Sequence, residues 1–369
     1  MTIAERRPDR GRSSAAPRAA SAIITGSGRA FPPGHTQQDY WDKFYSAHAA
    51  GSRWARRVFF SVGCSARHTA VDPTREDISG WSTGARMARY IQEALPLARD
   101  AAIDALHTAG LEVSELGLLA VVSCTGYATP GIDIRLAEAL GADLSLQRLL
   151  IGHMGCYAAL PGLGVAADAV VARGRPALLV CVEVSSLHVQ PGEVGLEQTV
   201  AHAMFSDGAA AVVLEPGGAQ EGLAVIDIVA RTDVTTADHM RWDVTDFGFR
   251  MGLSRRVPDV LAHHVTPLVD ELLTRNGLTR RDVDGWAVHP GGPRILDVVA
   301  DRLGLTDDEL APSRRVLDEH GNCSSPTVLF VLDELRATQP PLPGRHIVAL
   351  AFGPGLTLYG VLLQAGALQ

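Results

Sequence analysis

The sequence predicts an α/β protein of layered helices and strands in which one unit occurs twice. Three observations predict it. Apolar runs at 118–122, 177–184 and 209–214 read as buried strands, and they alternate with helix-length stretches rich in small apolar residues. Landmarks also recur at one offset. Ala109-Gly110-Leu111, Ser114-Glu115-Leu116 and Leu119-Ala120-Val121 are echoed by Asn276-Gly277-Leu278, Arg281-Asp282-Val283 and Trp286-Ala287-Val288, with 277 − 110 = 167. The same 167 carries Cys156 onto Cys323, and both cysteines precede an apolar helical run. Finally, 369 residues suffice for two core-forming units. The expected organisation is a disordered tail (1–20) followed by halves at 21–220 and 221–369.

The elements follow in order. Residues 1–20 are rich in Arg, Ala, Ser and Pro, and no apolar segment follows Arg6-Arg7, so a tail is expected and a secretion signal is not. Ser21–Thr25 reads as a first strand, ended by Gly26-Ser27-Gly28. Gln37–His48 is helical, with Tyr40, Phe44 and Tyr45 on one face. Ala88–Ala109 places Leu95, Ala98, Ala102, Leu106 and Ala109 on one helical face, and Pro96 predicts a kink or a break there. A loop at 123–131 separates a strand from a helix over Ile132–Leu140. Helices are also expected at Ala158–Val171 and Thr327–Leu335.

Composition excludes several function classes. A net charge of -8 argues against nucleic-acid and membrane-surface partners. No apolar run reaches the length of a membrane span. The five cysteines, at 64, 124, 156, 181 and 323, show neither a CxxC pair nor zinc-type spacing. They read as reduced thiols of a cytoplasmic protein.

Chemistry concentrates in Gly152-His153-Met154-Gly155-Cys156-Tyr157. A thiol on a tight turn opening a helix feels the positive end of the dipole, which favours the thiolate. The same residues also suit a buried core cysteine. The repeat weighs between these readings. If equivalent loops of the two halves converge, Cys156 faces the loop Gly321-Asn322-Cys323, and the strand ending in His289 terminates beside both. A thiol, an imidazole and an amide suit thioester chemistry, since the thiolate attacks an acyl thioester and the other two donate to the oxygen that gains charge. Taken singly, His289 is equally a satisfied strand-end histidine and Asn322 a helix cap. The cluster Arg53-Trp54-Ala55-Arg56-Arg57 is either a solvated helix face or a phosphate contact.

Five ordered motifs resemble the type III polyketide synthases, the chalcone synthase family. They are Gly155-Cys156, Ala203-Met204-Phe205-Ser206-Asp207-Gly208, His289-Pro290-Gly291-Gly292-Pro293-Arg294, Gly321-Asn322-Cys323-Ser324-Ser325, and Phe352-Gly353-Pro354-Gly355. The resemblance implies a thiolase-like fold with two pseudo-repeated α/β halves in αβαβα layers. It also implies a homodimer and iterative decarboxylative condensation on coenzyme A thioesters, with malonyl-CoA and in some members another acyl-CoA starter as substrates and no cofactor.

By the same resemblance Cys156 carries the growing chain, His289 and Asn322 drive decarboxylation, and Phe205 gates the cavity. Arg56, Arg57 and Arg294 lie where coenzyme A phosphates bind. Cys124, Ser185, His188 and Met251 would wall the cavity, joined by Ser324 and the loop Gly353-Pro354-Gly355. Thr129, before a cis Pro130, would enter the partner subunit's cavity. Ala351 replaces a glycine usual in the family, and Met251 stands where plant members carry a second gating phenylalanine.

The segments around Cys156 and Cys124 look closest to bacterial 3,5-dihydroxyphenylacetyl-CoA synthases, which take malonyl-CoA as starter and extender. Three alternatives stay open: an alkylpyrone or alkylresorcinol synthase primed by a fatty acyl-CoA, a ketoacyl-carrier-protein synthase III, and a silent partner subunit of the same fold.

Overall fold

The computed structural model describes residues 21–49, 52–190, 195–217 and 221–366; the expected tail lies outside them. The first half supplies β1 (Ala22–Ala30), a small β2 (Gly34–Thr36) and a helical stretch. That stretch runs α1 (Gln37–Tyr40), a π-turn (Trp41–Tyr45) and α2 (Ser46–His48), and it buries Tyr40, Phe44 and Tyr45 as expected. Next come α3 (Arg53–Phe59), β3 (Ala66–His68), α4 (Thr83–Ala109), β4 (Leu118–Ser123), α5 (Ile132–Ala139), β5 (Gln147–Gly152), α6 (Ala159–Arg173), β6 (Ala177–Val184), α7 (Leu196–Met204) and β7 (Asp207–Pro216). The second half supplies β8 (Leu223–Thr232), a hairpin of β9 (Met240–Thr245) and β10 (Gly248–Leu253), α8 (Val257–Arg275), β11 (Val283–Val288), α9 (Pro293–Leu303), α10 (Ala311–His320), α11 (Thr327–Thr338), β12 (His346–Gly353) and β13 (Thr357–Ala365).

Nine strands join in the order β11-β12-β13-β8-β1-β7-β6-β4-β5, so the halves meet where β1 pairs with β8. Helices α6 and α11 share one apolar core with strands of both halves, between the two wings of the sheet. Helix α4 covers the outer face of the first wing, and α8 with α9 covers that of the second. Five layers, helix–sheet–helix–sheet–helix, result.

The repeat is visible in backbone detail. Gly110 and Gly277 both take φ +69, and each precedes a single 3-10 turn closed by a reciprocal cap, Glu112 with Glu115 and Thr279 with Asp282. The caps keep the 167-residue offset.

Two expectations are corrected. Strand β1 continues through Gly26-Ser27-Gly28 to Ala30. Those glycines mark close packing, because a Cβ at Gly26 would sit 2.3 Å from the Ala105 carbonyl oxygen of α4, and one at Gly28 2.3 Å from that of Ala101. Helix α4 starts at Thr83, capped by the Ser82 hydroxyl, and runs unbroken past Pro96. An internal proline costs about 3 kcal/mol. The buried face of Ala94, Leu97, Ala98, Ala101, Ala102, Ala105 and Leu106 outweighs it, at roughly 0.8 kcal/mol per buried methylene.

Candidate active site

Cys156 lies in the turn between edge strand β5 and α6. Gly155 takes φ +83, and a Cβ there would meet the Pro354 ring at 2.7 Å. A Cβ on Gly353 would strike the Tyr157 ring at 2.7 Å. The Gly353-Pro354-Gly355 loop is therefore a backstop pressed against the cysteine turn. Of its three residues only Pro354 lines the cavity beside the thiol; Gly353 and Gly355 act through their lack of side chains.

The thiol is 8% exposed, and Ser324 Oγ donates to its sulfur at 3.4 Å. Burial pushes Cys156 up to about 11, against the opposing effect of hydrogen bonds from Ser324 and Asn322. Desolvation of the buried sulfur thus opposes the helix-dipole effect that favours the thiolate.

Asn322 is held by its backbone, whose N–H donates to Met204 O (2.9 Å) while its carbonyl accepts from Ser206 N–H (3.0 Å). Its side-chain Oδ1 accepts from Ser324 N–H at 2.8 Å. That bond settles the amide orientation and leaves the Nδ2 donors for the cavity. His289 follows β11, and its backbone N–H donates to Leu350 O (2.8 Å). Its ring is buried, neither ring nitrogen has a partner among the described residues, and burial lowers its pKa to about 3. The satisfied-histidine alternative fails on this point.

Cys156, His289 and Asn322 line one cavity of about 740 Å3, shared with Phe205, Met251 and Phe352. Cys156, Phe205, Met240 and Met251 also line a neighbouring chamber of about 40 Å3, walled further by Cys124, His153, Ser185, Trp242, Ser324 and Pro354. These four shared residues form the partition between the two spaces. His188 does not line either space. It stacks on Phe249 (4.4 Å, 7°), accepts from Phe249 N–H through Nδ1 (2.9 Å) and donates from Nε2 to Thr125 O (2.7 Å), so it fastens β10 to the Cys124 loop.

Several participants were missed in the sequence. Met240 and Trp242 come from the β9 strand, whose short alternating pattern gives no chemical signal. Trp242 Nε1 donates to Cys124 O at 3.0 Å, which fixes the indole in the wall of the inner chamber. Glu183, fully buried, accepts from Cys124 N–H (2.9 Å), Thr125 Oγ1 (2.7 Å) and Ser325 Oγ (2.6 Å), tying the loops of the two halves together beneath the site. Burial raises its pKa. Arg67, 1% exposed, donates to Gln37 Oε1 (2.7 Å) and to the carbonyls of His202 and Ala203, clamping the end of α7 from which Phe205 projects.

The predicted arginines separate. Arg294, on α9, lines the outer cavity, as does Arg255, which the sequence reading passed over. Arg56 and Arg57 lie on the exposed face of α3, Arg56 over the Phe60 ring at 4.9 Å, while Val58, Ser61 and Val62 of the same segment line the cavity. Thr129 is exposed, precedes a cis peptide bond to Pro130, and stands outside this chain's own cavities.

Residues 13–218 match the N-terminal domain of chalcone and stilbene synthases, and residues 224–366 the C-terminal domain. The 1,3,6,8-tetrahydroxynaphthalene synthase of Streptomyces peucetius subsp. caesius is 36% identical over 316 residues, 84% of this chain and 83% of that protein. The alpha-pyrone synthesis polyketide synthase-like Pks18 of Mycobacterium tuberculosis is 34% identical, covering 84% and 81%. The 3,5-dihydroxyphenylacetyl-CoA synthase of Streptomyces toyocaensis is 32% identical, covering 89% and 86%. The crystal structure of PKS-I from the brown alga Ectocarpus siliculosus superposes with a TM-score of 0.87 at 31% identity, covering 95% of this chain and 99% of that one.

Layered thiolase-like halves whose loops bring a thiol, an imidazole and an amide to one cavity suit an acyltransferase that works on thioesters. The chain belongs to the chalcone and stilbene synthase family, the type III polyketide synthases. The three relatives are of similar identity and bear different product names, so overall similarity does not single out the 3,5-dihydroxyphenylacetyl-CoA synthases.

Proposed function

We propose that this synthase primes and extends with malonyl-CoA, building a short polyketide on Cys156 that closes to a phenolic product such as 3,5-dihydroxyphenylacetyl-CoA. The observation that carries the reading is the convergence of Cys156, His289 and Asn322 on one cavity, with both imidazole nitrogens free of partners among the described residues.

The Cys156 sulfur attacks the thioester carbonyl while its proton passes to His289, and coenzyme A leaves with that proton as the free thiol. A second malonyl-CoA then binds. Its carbon–carboxylate bond breaks, carbon dioxide departs, and the electron pair enters the enolate, whose oxygen takes hydrogen bonds from neutral His289 and from Asn322 Nδ2. The enolate carbon attacks the acyl carbonyl on Cys156, the new carbon–carbon bond forms, and the cysteine sulfur leaves to be reloaded. Every step uses side chains of this chain.

A fatty-acyl-primed alkylpyrone synthase must store a long alkyl chain beside the thiol. Of the two spaces that border Cys156, the inner chamber of about 40 Å3 is too small for such a chain, so a fatty-acyl starter would have to lie in the outer cavity. Arg255 and Arg294 at the outer cavity are the proposed phosphate contacts of coenzyme A, with Arg56 and Arg57 reinforcing them from α3. Purified protein given malonyl-CoA alone is expected to release carbon dioxide and coenzyme A and to form an aromatic polyketide, read by mass spectrometry. Turnover only on malonyl-carrier protein would overturn the reading.

The edge of the nine-stranded sheet supports a homodimer. Strand β5 leaves one side unpaired, with Leu149 and Leu150 exposed, and Ile134 and Tyr127 are exposed on the neighbouring segments. An apolar edge strand invites pairing with a second chain. In that assembly Thr129, exposed and outside this chain's own cavities, would be the residue that reaches the partner. Leu150→Arg is expected to shift the sedimentation coefficient from dimer to monomer; a wild-type monomer would remove the proposal. Among the described residues no helix is long and apolar enough to cross a membrane, and a cytoplasmic location is proposed.

A further inference from the structure

Two residues before Asn322, at the end of α10, His320 enters a contact that the proposed chemistry does not use. Its Nδ1 lies 3.0 Å from Nε2 of His68, the last residue of β3, and His68 Nδ1 lies 2.9 Å from Pro32 O. The carbonyl can only accept, so His68 Nδ1 carries the hydrogen; neutral His68 then accepts at Nε2, and His320 Nδ1 is the donor. Burial holds both rings in the neutral form this chain of bonds requires, His320 lowered to about 4. The Phe31 ring stacks on both imidazoles, at 4.6 Å on His68 and 4.4 Å on His320.

The pair is joined to Asn322 by a second route. His68 N–H donates to Ser206 Oγ (2.8 Å), that hydroxyl donates back to His68 O (3.2 Å), and Ser206 N–H donates to the Asn322 carbonyl (3.0 Å). Asn322 is therefore gripped on both sides from β3, through Ser206 after it leaves the chain of α7 and through His320 at the end of α10. Between these anchors stands Gly321 at φ +70, packed so closely that a Cβ there would meet Met204 O at 3.0 Å.

We propose that the His320–His68 pair is a positioning clasp that holds the backbone from which the Asn322 amide, oriented by Ser324 N–H, stabilises the enolate. The clasp rests on the malonyl-CoA reading of the site. Neither imidazole lines the cavity, so both act only through Asn322.

His320→Phe keeps the stack on Phe31 and removes the donor; His320→Asn restores a donor at the position of Nδ1. Carbon dioxide release from malonyl-CoA is the readout. His320→Phe is expected to lower kcat about tenfold or more with KM within twofold, as a displaced stabilising group does. His320→Asn is expected to recover most of it. In an Asn322→Ala background, His320→Phe should add no further loss, because the group it positions is gone. This second comparison holds if the single variant folds poorly, since matched thermal midpoints can be required of the double pair. Wild-type kcat in His320→Phe, or a loss that adds fully to that of Asn322→Ala, overturns the clasp. Failure of the wild-type protein to release carbon dioxide overturns the function reading instead, so the two failures are distinct.

Discussion

Cys156→Ala is expected to abolish covalent acyl loading and polyketide formation while leaving malonyl-CoA decarboxylation in place. The separation follows from the division of labour in the cavity. Only the sulfur can form the acyl thioester, whereas the enolate oxygen needs donors, and those are His289 and Asn322 Nδ2. Asn322→Ala should show the converse. Removing one donor to a developing oxyanion costs about 10²–10³ in rate, roughly 2.7–4 kcal/mol, so carbon dioxide release should collapse while one acyl group still loads on Cys156. Intact-protein mass and a carbon dioxide assay read the two steps separately. An acyl adduct surviving in Cys156→Ala would remove the cysteine from its role, and undiminished decarboxylation in Asn322→Ala would remove the amide from its own.

The second large effect concerns chain length. Trp242 lines the inner chamber, and its indole is pinned by the 3.0 Å bond from Nε1 to Cys124 O. Trp242→Gly deletes the bulk of a side chain next to a space of only about 40 Å3, which should merge the chamber into a larger pocket. The rigid wall around it, with His188 locked between Phe249 and Thr125, opposes collapse into the vacated volume. Competition between malonyl-CoA and a medium-chain acyl-CoA is expected to shift toward the longer starter by about tenfold or more, an order reached when two methylenes gain burial at roughly 0.8 kcal/mol each. Loss of stability should accompany it, since removing a large aromatic from a packed site costs about 3–5 kcal/mol. An unchanged starter preference in a folded variant would show that chain length is set elsewhere, with the outer cavity as the next place to look.

Much of the site was legible because its residues sit where the backbone is unusual. Gly155 must take a positive φ under Pro354, and Gly353 must clear Tyr157, so glycines flank the chemistry and betray it. The repeat was legible because each half builds the same turn, a left-handed glycine followed by a reciprocal cap, and such turns admit few residue types. The glycines of β1 misled for a related reason. Close approach to α4 needs them as much as a turn would, and one dimension does not distinguish the two uses. Of the kink or break expected at Pro96 the break does not occur, because helix-breaking is a local cost, while the burial that overrides it is contributed by distant strands.

The sequence by itself determined the layered α/β class and the twofold repeat, and it singled out Cys156, His289 and Asn322, which the fold brings to one cavity, because these depend on local backbone requirements and on motifs contiguous in the chain. Only the tertiary structure decided the burial that raises the thiol's pKa and lowers the imidazole's, the placing of His188 behind the wall, and the entry of Trp242, Met240 and Arg255 into the site. Desolvation and cavity shape come from atoms far apart in sequence, and a residue's neighbours in space are not written beside it in the chain.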